Sequence, residues 1–202
     1  MSKKLLIFFF CMIFGITLFA QNKEVKLSEV MQTYQNYNMF DGAVLVAENG
    51  KIVYKGAFGL ANREWNIPNT TDTKFMIGSV SKSLTATLML IQVQKGLVDL
   101  NKTISDYLPE FKGKPAANVT IKQLLSHTSG IPNYDIIKDF FPRISRQNFT
   151  REDYVKVYAD SALAFKPGSR YAYSSWGYFT LGYIMERVTG KSYSQLIKED
   201  IF

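Results

Sequence analysis

Apolar positions along this chain fall into two rhythms. Between Glu24 and Tyr37 the residues Val25, Leu27, Val30, Met31 and Tyr34 recur at helical spacing, which predicts an amphipathic helix. The next two runs, G-A-V-L-V-A-E and K-I-V-Y-K-G-A-F, flank Asn49-Gly50, a pair suited to a two-residue hairpin because both positions tolerate positive φ. The first of these strands is apolar on both faces, so helices are expected to cover it on each side. From Gly78 to Gln94 the spacing returns to three and four. There Val80, Leu84, Leu88 and Ile91 mark one face of a long, mostly buried helix, and Gly96 is its stop. Asn101 to Asn118, punctuated by Pro109, Gly113 and Pro115, reads as irregular surface structure. Thr120 with Gln123, and Ser192 with Gln195, have the spacing of capping boxes. No repeat or low-complexity linker interrupts the chain.

The 202 residues are 47% hydrophobic and 20% charged, enough for one substantial core. Met1 to Ala20 carries Lys3 and Lys4, then an apolar run from Leu5 to Leu18 and a small residue at the end, the pattern of a signal peptide cut after Ala20. A membrane anchor is the competing reading, but the run is short for a spanning helix. The expected organisation is a leader over 1–20 and one domain over 21–202, secreted or periplasmic, without a membrane span once the leader is cleaved. Cys11, the sole cysteine, lies in the leader after Phe8, Phe9 and Phe10, which do not form a lipobox. The mature chain therefore has neither a disulfide framework nor a thiol nucleophile.

Charge changes the picture little. Losing Lys3 and Lys4 with the leader lowers the formal net charge from +7 to +5. Basic residues are dispersed among acidic ones with no Arg/Lys run interleaved with aromatics, which argues against nucleic-acid binding. The balance would suit an anionic substrate, though solubility is the simpler account. The lone histidine, His127, cannot build a multi-histidine zinc site, and no G-x-S-x-G elbow accompanies it, so it is read as ordering its loop. No metal or cofactor is expected.

The richest chemistry lies in F-M-I-G-S-V-S-K-S, Phe75 to Ser83. Ser79 and Lys82 form an S-x-x-K pair at a helix start, where positions i and i+3 share a face and the amine can reach the hydroxyl. A serine hydroxyl is a poor nucleophile until a neighbouring base takes its proton. A helix N-terminus adds partial positive charge and unpaired N–H groups that can hold a developing oxyanion. Alone the pair is weak, since a serine N-cap followed by a solvated lysine has the same spacing.

Downstream come L-L-S-H-T-S-G-I-P from Leu124 to Pro132, P-G-S-R-Y-A-Y-S-S from Pro167 to Ser175, and W-G-Y-F-T-L-G-Y-I-M-E-R-V-T-G ending at Gly190. Together with the S-x-x-K pair these resemble the serine β-lactamase-related hydrolases, in the branch of class C β-lactamases, D-alanyl-D-alanine carboxypeptidases and β-lactamase-fold esterases. The resemblance runs from about Asp41 to Phe202, with the motifs in the family order. It implies an α+β fold of the penicillin-binding-protein transpeptidase type, with helices around an antiparallel sheet. It also implies acyl-enzyme chemistry on an amide or ester: a D-amino-acid peptide of the cell wall, a simple ester or a β-lactam.

Carried over by that resemblance, Ser79 is the acylated nucleophile, Lys82 its base partner and Tyr173 the tyrosine that passes a proton to the leaving group. Ser175 stands at the substrate-binding position where the family has asparagine. A serine offers one rotatable hydroxyl in place of an amide donor and acceptor, which disfavours efficient β-lactam hydrolysis more than acyl transfer itself. The neighbouring aromatics Tyr171, Trp176 and Tyr178 read as packing.

The family's third motif, a K-T-G or H-T-G triplet on a strand facing the nucleophile, has no counterpart after Tyr173. The chain is therefore expected to be the N-terminal part of a longer hydrolase, lacking the C-terminal strands and weakly stable by itself. A non-catalytic remnant or binding module of the same fold stays open at this point.

Overall fold

The computed structural model describes residues 23–202. The leader and Cys11 lie outside them. The chain divides into two compact units, one ending at Met76 and the other spanning Ile77–Phe202.

In the first unit, helix α1 covers residues 23–36, as its apolar spacing predicts. Strands β1 (Gly42–Glu48) and β2 (Lys51–Phe58) pair antiparallel with a register shift between Val46 and Ala47. The turn between them has φ of 50° at Asn49 and 74° at Gly50, two consecutive left-handed residues of the kind that matches strand twist. A second two-stranded sheet joins β3 (Leu60–Asn62) to β4 (Ile67–Pro68). Among the described residues, β1 is not covered on both faces. Val44 and Val46 are half-buried, whereas Ala43, Leu45 and Ala47 face outward and Leu45 is 56% exposed. Apolar residues on both faces permit burial, but only a packed layer produces it.

The second unit is helical. A 3₁₀ turn, Gly78–Val80, leads into α2 (Ser81–Gln94), so Ser79 lies one turn ahead of the α-helix rather than at its first residue. Helix α2 buries Thr85, Leu88, Met89 and Gln92, while Val80 is 63% exposed. The inward face is thus rotated from the one drawn through Val80, Leu84, Leu88 and Ile91. Buried Gln92 is accommodated there: its Nε2 donates to Leu88 O at 3.3 Å and to Oδ2 of half-buried Asp200 at 3.0 Å, which satisfies an amide that hydropathy alone would turn outward.

Residues 101–118 also correct the sequence reading. They contain α3 (Ile104–Tyr107) and the 3₁₀ turn Pro109–Phe111, with Ile104, Leu108 and Phe111 fully buried. The proline and glycine signals mark real turns, but the apolar residues between them recur at i, i+4 and i+7 and fill the core. Helices α4 (Ile121–Leu125), α5 (Arg151–Lys156), α6 (Ser175–Thr189) and α7 (Tyr193–Asp200) complete the unit. Helix α6 is its axis, packing against α2, α3, α4 and α7 through Trp176, Leu181, Ile184 and Met185. Its own packing face repeats every three to four residues, the ordinary route to a stable helix in a small core.

Both expected capping boxes are present, at Thr120 with Gln123 and at Ser192 with Gln195. The first matters for the site because α4 is short and feeds directly into the His127 loop. Thr120→Ala removes the acceptor for the Gln123 N–H, 3.2 Å away, and is expected to cost about 1 kcal/mol. For a chain of this size that is about 2–4 °C in Tm, readable by thermal unfolding followed by circular dichroism. An unchanged Tm would show that the tertiary packing of α4 makes its cap redundant.

Candidate active site

Three segments of the second unit converge. The first is the Gly78–Val80 turn with the start of α2, the second is the loop after α4, and the third is the extended run that ends at α6. The second and third are laced together by backbone bonds: Ala172 N donates to His127 O at 2.9 Å, Gly168 N to Thr128 O at 2.8 Å and Ala164 N to Gly130 O at 2.8 Å. Gly130 is the position that needs glycine. Its φ is 77°, and a Cβ there would fall 2.4 Å from Phe165 O, so a side chain would push the two segments apart.

Lacing brings Tyr173 to Ser79. The Tyr173 hydroxyl donates to Ser79 Oγ at 2.7 Å, and Lys82 Nζ donates to the same oxygen at 3.3 Å. The lysine amine also lies 4.9 Å from the Tyr173 ring centroid and 5.8 Å from that of Tyr178. The side chains of Lys82 and Tyr173 thus meet at the Ser79 hydroxyl, although 94 residues separate Ser79 from Tyr173. Burial alone would push the Tyr173 phenol up. The nearby Lys82 amine with its charge, the Ser79 hydroxyl and the Ser175 hydroxyl outweigh burial and leave it below the ordinary tyrosine value. A hydroxyl held by an amine and an acidified phenol has two routes for losing its proton. Because Ser79 belongs to the first helical turn, its N–H has no partner one turn back and is available to a developing oxyanion.

Ser175 opens α6, and its backbone N–H donates to Asn133 Oδ1 at 2.9 Å. Ser174 is the N-cap: its Oγ accepts from Gly177 N at 3.1 Å and donates to Pro132 O at 3.2 Å. Asn133 and Ser174 are structural members of the site that the sequence reading did not single out. A serine before an apolar helix is a recognisable cap signal. Asn133 carries no local signal, because its partner is 42 residues away. Behind the site, buried Trp176 stacks on Tyr158 at 4.9 Å and donates from Nε1 to Tyr154 Oη at 3.2 Å, consistent with the packing role read for it. Tyr171, also read as packing, is largely exposed. Among the described residues no cluster of three or more His, Cys, Asp or Glu side chains could hold a metal ion, and no helix is long and apolar enough to cross a membrane.

With this geometry goes a match to the beta-lactamase family model over residues 27–202, and the chain belongs to that family. It is 35% identical over 185 residues to a penicillin-binding protein of Bacillus subtilis strain 168, covering 90% of this chain and 40% of that protein. Its structure resembles FmtA from Staphylococcus aureus, with a TM-score of 0.74 and 28% identity over 86% of this chain and 47% of the other. It also resembles the D-alanine carboxypeptidase AmpC from Burkholderia cenocepacia, with a TM-score of 0.67 and 26% identity over 91% and 47% of the two chains. The α+β penicillin-binding-protein and β-lactamase fold expected from the motifs is thereby established. The chain spans less than half the length of each of these three proteins.

Proposed function

We propose that this chain carries the acylation machinery of a secreted serine hydrolase that cleaves an amide or ester through an acyl-enzyme. The observation that carries the reading is the convergence of Tyr173 Oη and Lys82 Nζ on Ser79 Oγ, at 2.7 and 3.3 Å. In this reading Ser79 attacks the substrate carbonyl as its proton passes to Lys82, with Tyr173 relaying a proton to the leaving group. The carbonyl oxygen becomes an oxyanion facing the Ser79 N–H, and the C–N or C–O bond breaks as the leaving group is protonated. Water then attacks the acyl-enzyme and returns the serine. The lowered phenol supports the relay, since a group closer to neutrality exchanges protons more readily at working pH.

Substrate class follows from Ser175. Its short hydroxyl replaces a carboxamide, and its backbone is already engaged by Asn133. We infer a preference for simple esters and D-amino-acid peptides, cell-wall peptides among them, over cephalosporins. The leader pattern of residues 1–20 supports action outside the cytoplasm. Steady-state assays on the protein carrying this chain, comparing a p-nitrophenyl ester, a D-alanyl-D-alanine peptide and a chromogenic cephalosporin, should rank the cephalosporin last. A cephalosporin kcat/KM of about 10⁷ M⁻¹s⁻¹ would overturn the preference.

A further inference from the structure

His127 is held more tightly than a loop residue requires. It is the chain's only histidine, and its backbone has a φ of 55°, a left-handed conformation that costs a residue with a side chain. Two hydrogen bonds depend on it. Its carbonyl accepts from Ala172 N at 2.9 Å, and its Nδ1 accepts from Ser174 N at 3.1 Å. The donors are the residues immediately before and after Tyr173, so one histidine fixes the chain on both sides of the phenol. The imidazole also stacks on the Tyr173 ring at 4.6 Å and 29°, with Tyr178 at 4.8 Å and Tyr171 edge-on at 5.8 Å.

We propose that His127 is the positioning residue of Tyr173, holding its hydroxyl on Ser79 only while the imidazole is neutral with its proton on Nε2. The catalytic consequence rests on the hydrolase reading, whereas the bracket around Tyr173 does not. An Nδ1 that accepts an N–H cannot itself carry a proton, so the neutral Nε2–H tautomer is the one compatible with the Ser174 bond. Protonation turns Nδ1 into a second donor pointing at the Ser174 N–H, and the two repel. The groups facing the ring are Lys82 from α2, Tyr171 and Tyr173 from the run before α6, and Tyr178 from α6 itself, with no carboxylate among them to favour an imidazolium. Burial pushes the imidazole below its ordinary value of 6.5, and the Lys82 charge adds to the effect. The bracket is therefore closed at neutral pH and opens as pH falls through the lowered value.

Two readouts test this. In ¹⁵N spectra of the labelled protein, the His127 imidazole is assigned by its loss in His127→Asn. It should show the Nε2–H tautomer at about pH 7 and titrate below the free-histidine range, with the Ser174 amide shifting in step. In parallel, the acylation rate of Ser79 by a p-nitrophenyl ester is followed against pH in wild type, His127→Ala and His127→Asn. His127→Ala should slow acylation by about 10²-fold, the scale of a misplaced reacting group. Asparagine tolerates positive φ and puts Oδ1 where Nδ1 stood, so His127→Asn should recover at least about tenfold of that loss. Lacking a titrating ring, its rate relative to wild type should rise as the pH is lowered. An Nδ1–H tautomer or an imidazolium at neutral pH, equal losses in the two variants, or a ratio flat with pH would each overturn the proposal. If the imidazole and the Ser174 amide behave as expected but no acyl probe reacts with wild type, the bracket stands and the hydrolase reading falls.

Discussion

Replacing Ser79 by alanine is expected to reduce ester turnover by the protein carrying this chain about 10⁴-fold or more, to near the background rate. The loss is this large because the Lys82 amine and the Tyr173 phenol both end on the Ser79 hydroxyl, and neither has another nucleophile to activate once it is gone. Stability should hardly change. Ser79 is exposed, and removing an exposed hydroxyl is usually within about 0.5 kcal/mol of neutral. Turnover retained at about a tenth of the wild-type rate would mean that another group carries the chemistry.

Lys82→Ala should slow acylation by about 10²–10⁴-fold, the range of a general base, with the fold intact. The arginine variant separates proton transfer from charge. A guanidinium keeps the positive charge but cannot give up its proton to serve as a base, so Lys82→Arg should be about as slow as Lys82→Ala. Full activity in Lys82→Arg would assign the residue a purely electrostatic part and leave Tyr173 as the base. Pre-steady-state measurement of the first turnover is the suitable readout, since it isolates acylation from later steps.

Several elements were legible in the sequence because their causes are local. The Asn49-Gly50 hairpin, the capping boxes at Thr120 and Ser192 and the stop after α2 each depend on a few neighbouring residues, and each is where the pattern puts it. The pairing of Ser79 with Lys82 is local for the same reason. Tyr173 reaches Ser79 only through the bonds that lace residues 164–172 to the His127 loop, and family resemblance, not spacing, pointed to it. The misreadings are likewise tertiary. Gln92 sits on the inner face of α2 with Asp200, 108 residues away, as its partner, and Ile104, Leu108 and Phe111 are core although turn residues surround them. Leu45 is exposed although its strand is apolar, and Asn133 and the two-sided hold of His127 on Tyr173 carry no mark in the local sequence.

The most direct test of the account is covalent. The protein is treated with a fluorophosphonate or a penicillin, digested, and the adduct located by mass spectrometry. The account predicts one adduct, on the peptide containing Ser79 and on that residue, absent from Ser79→Ala. An adduct on Ser81, Ser83 or Tyr173, or one that persists in Ser79→Ala, would contradict it.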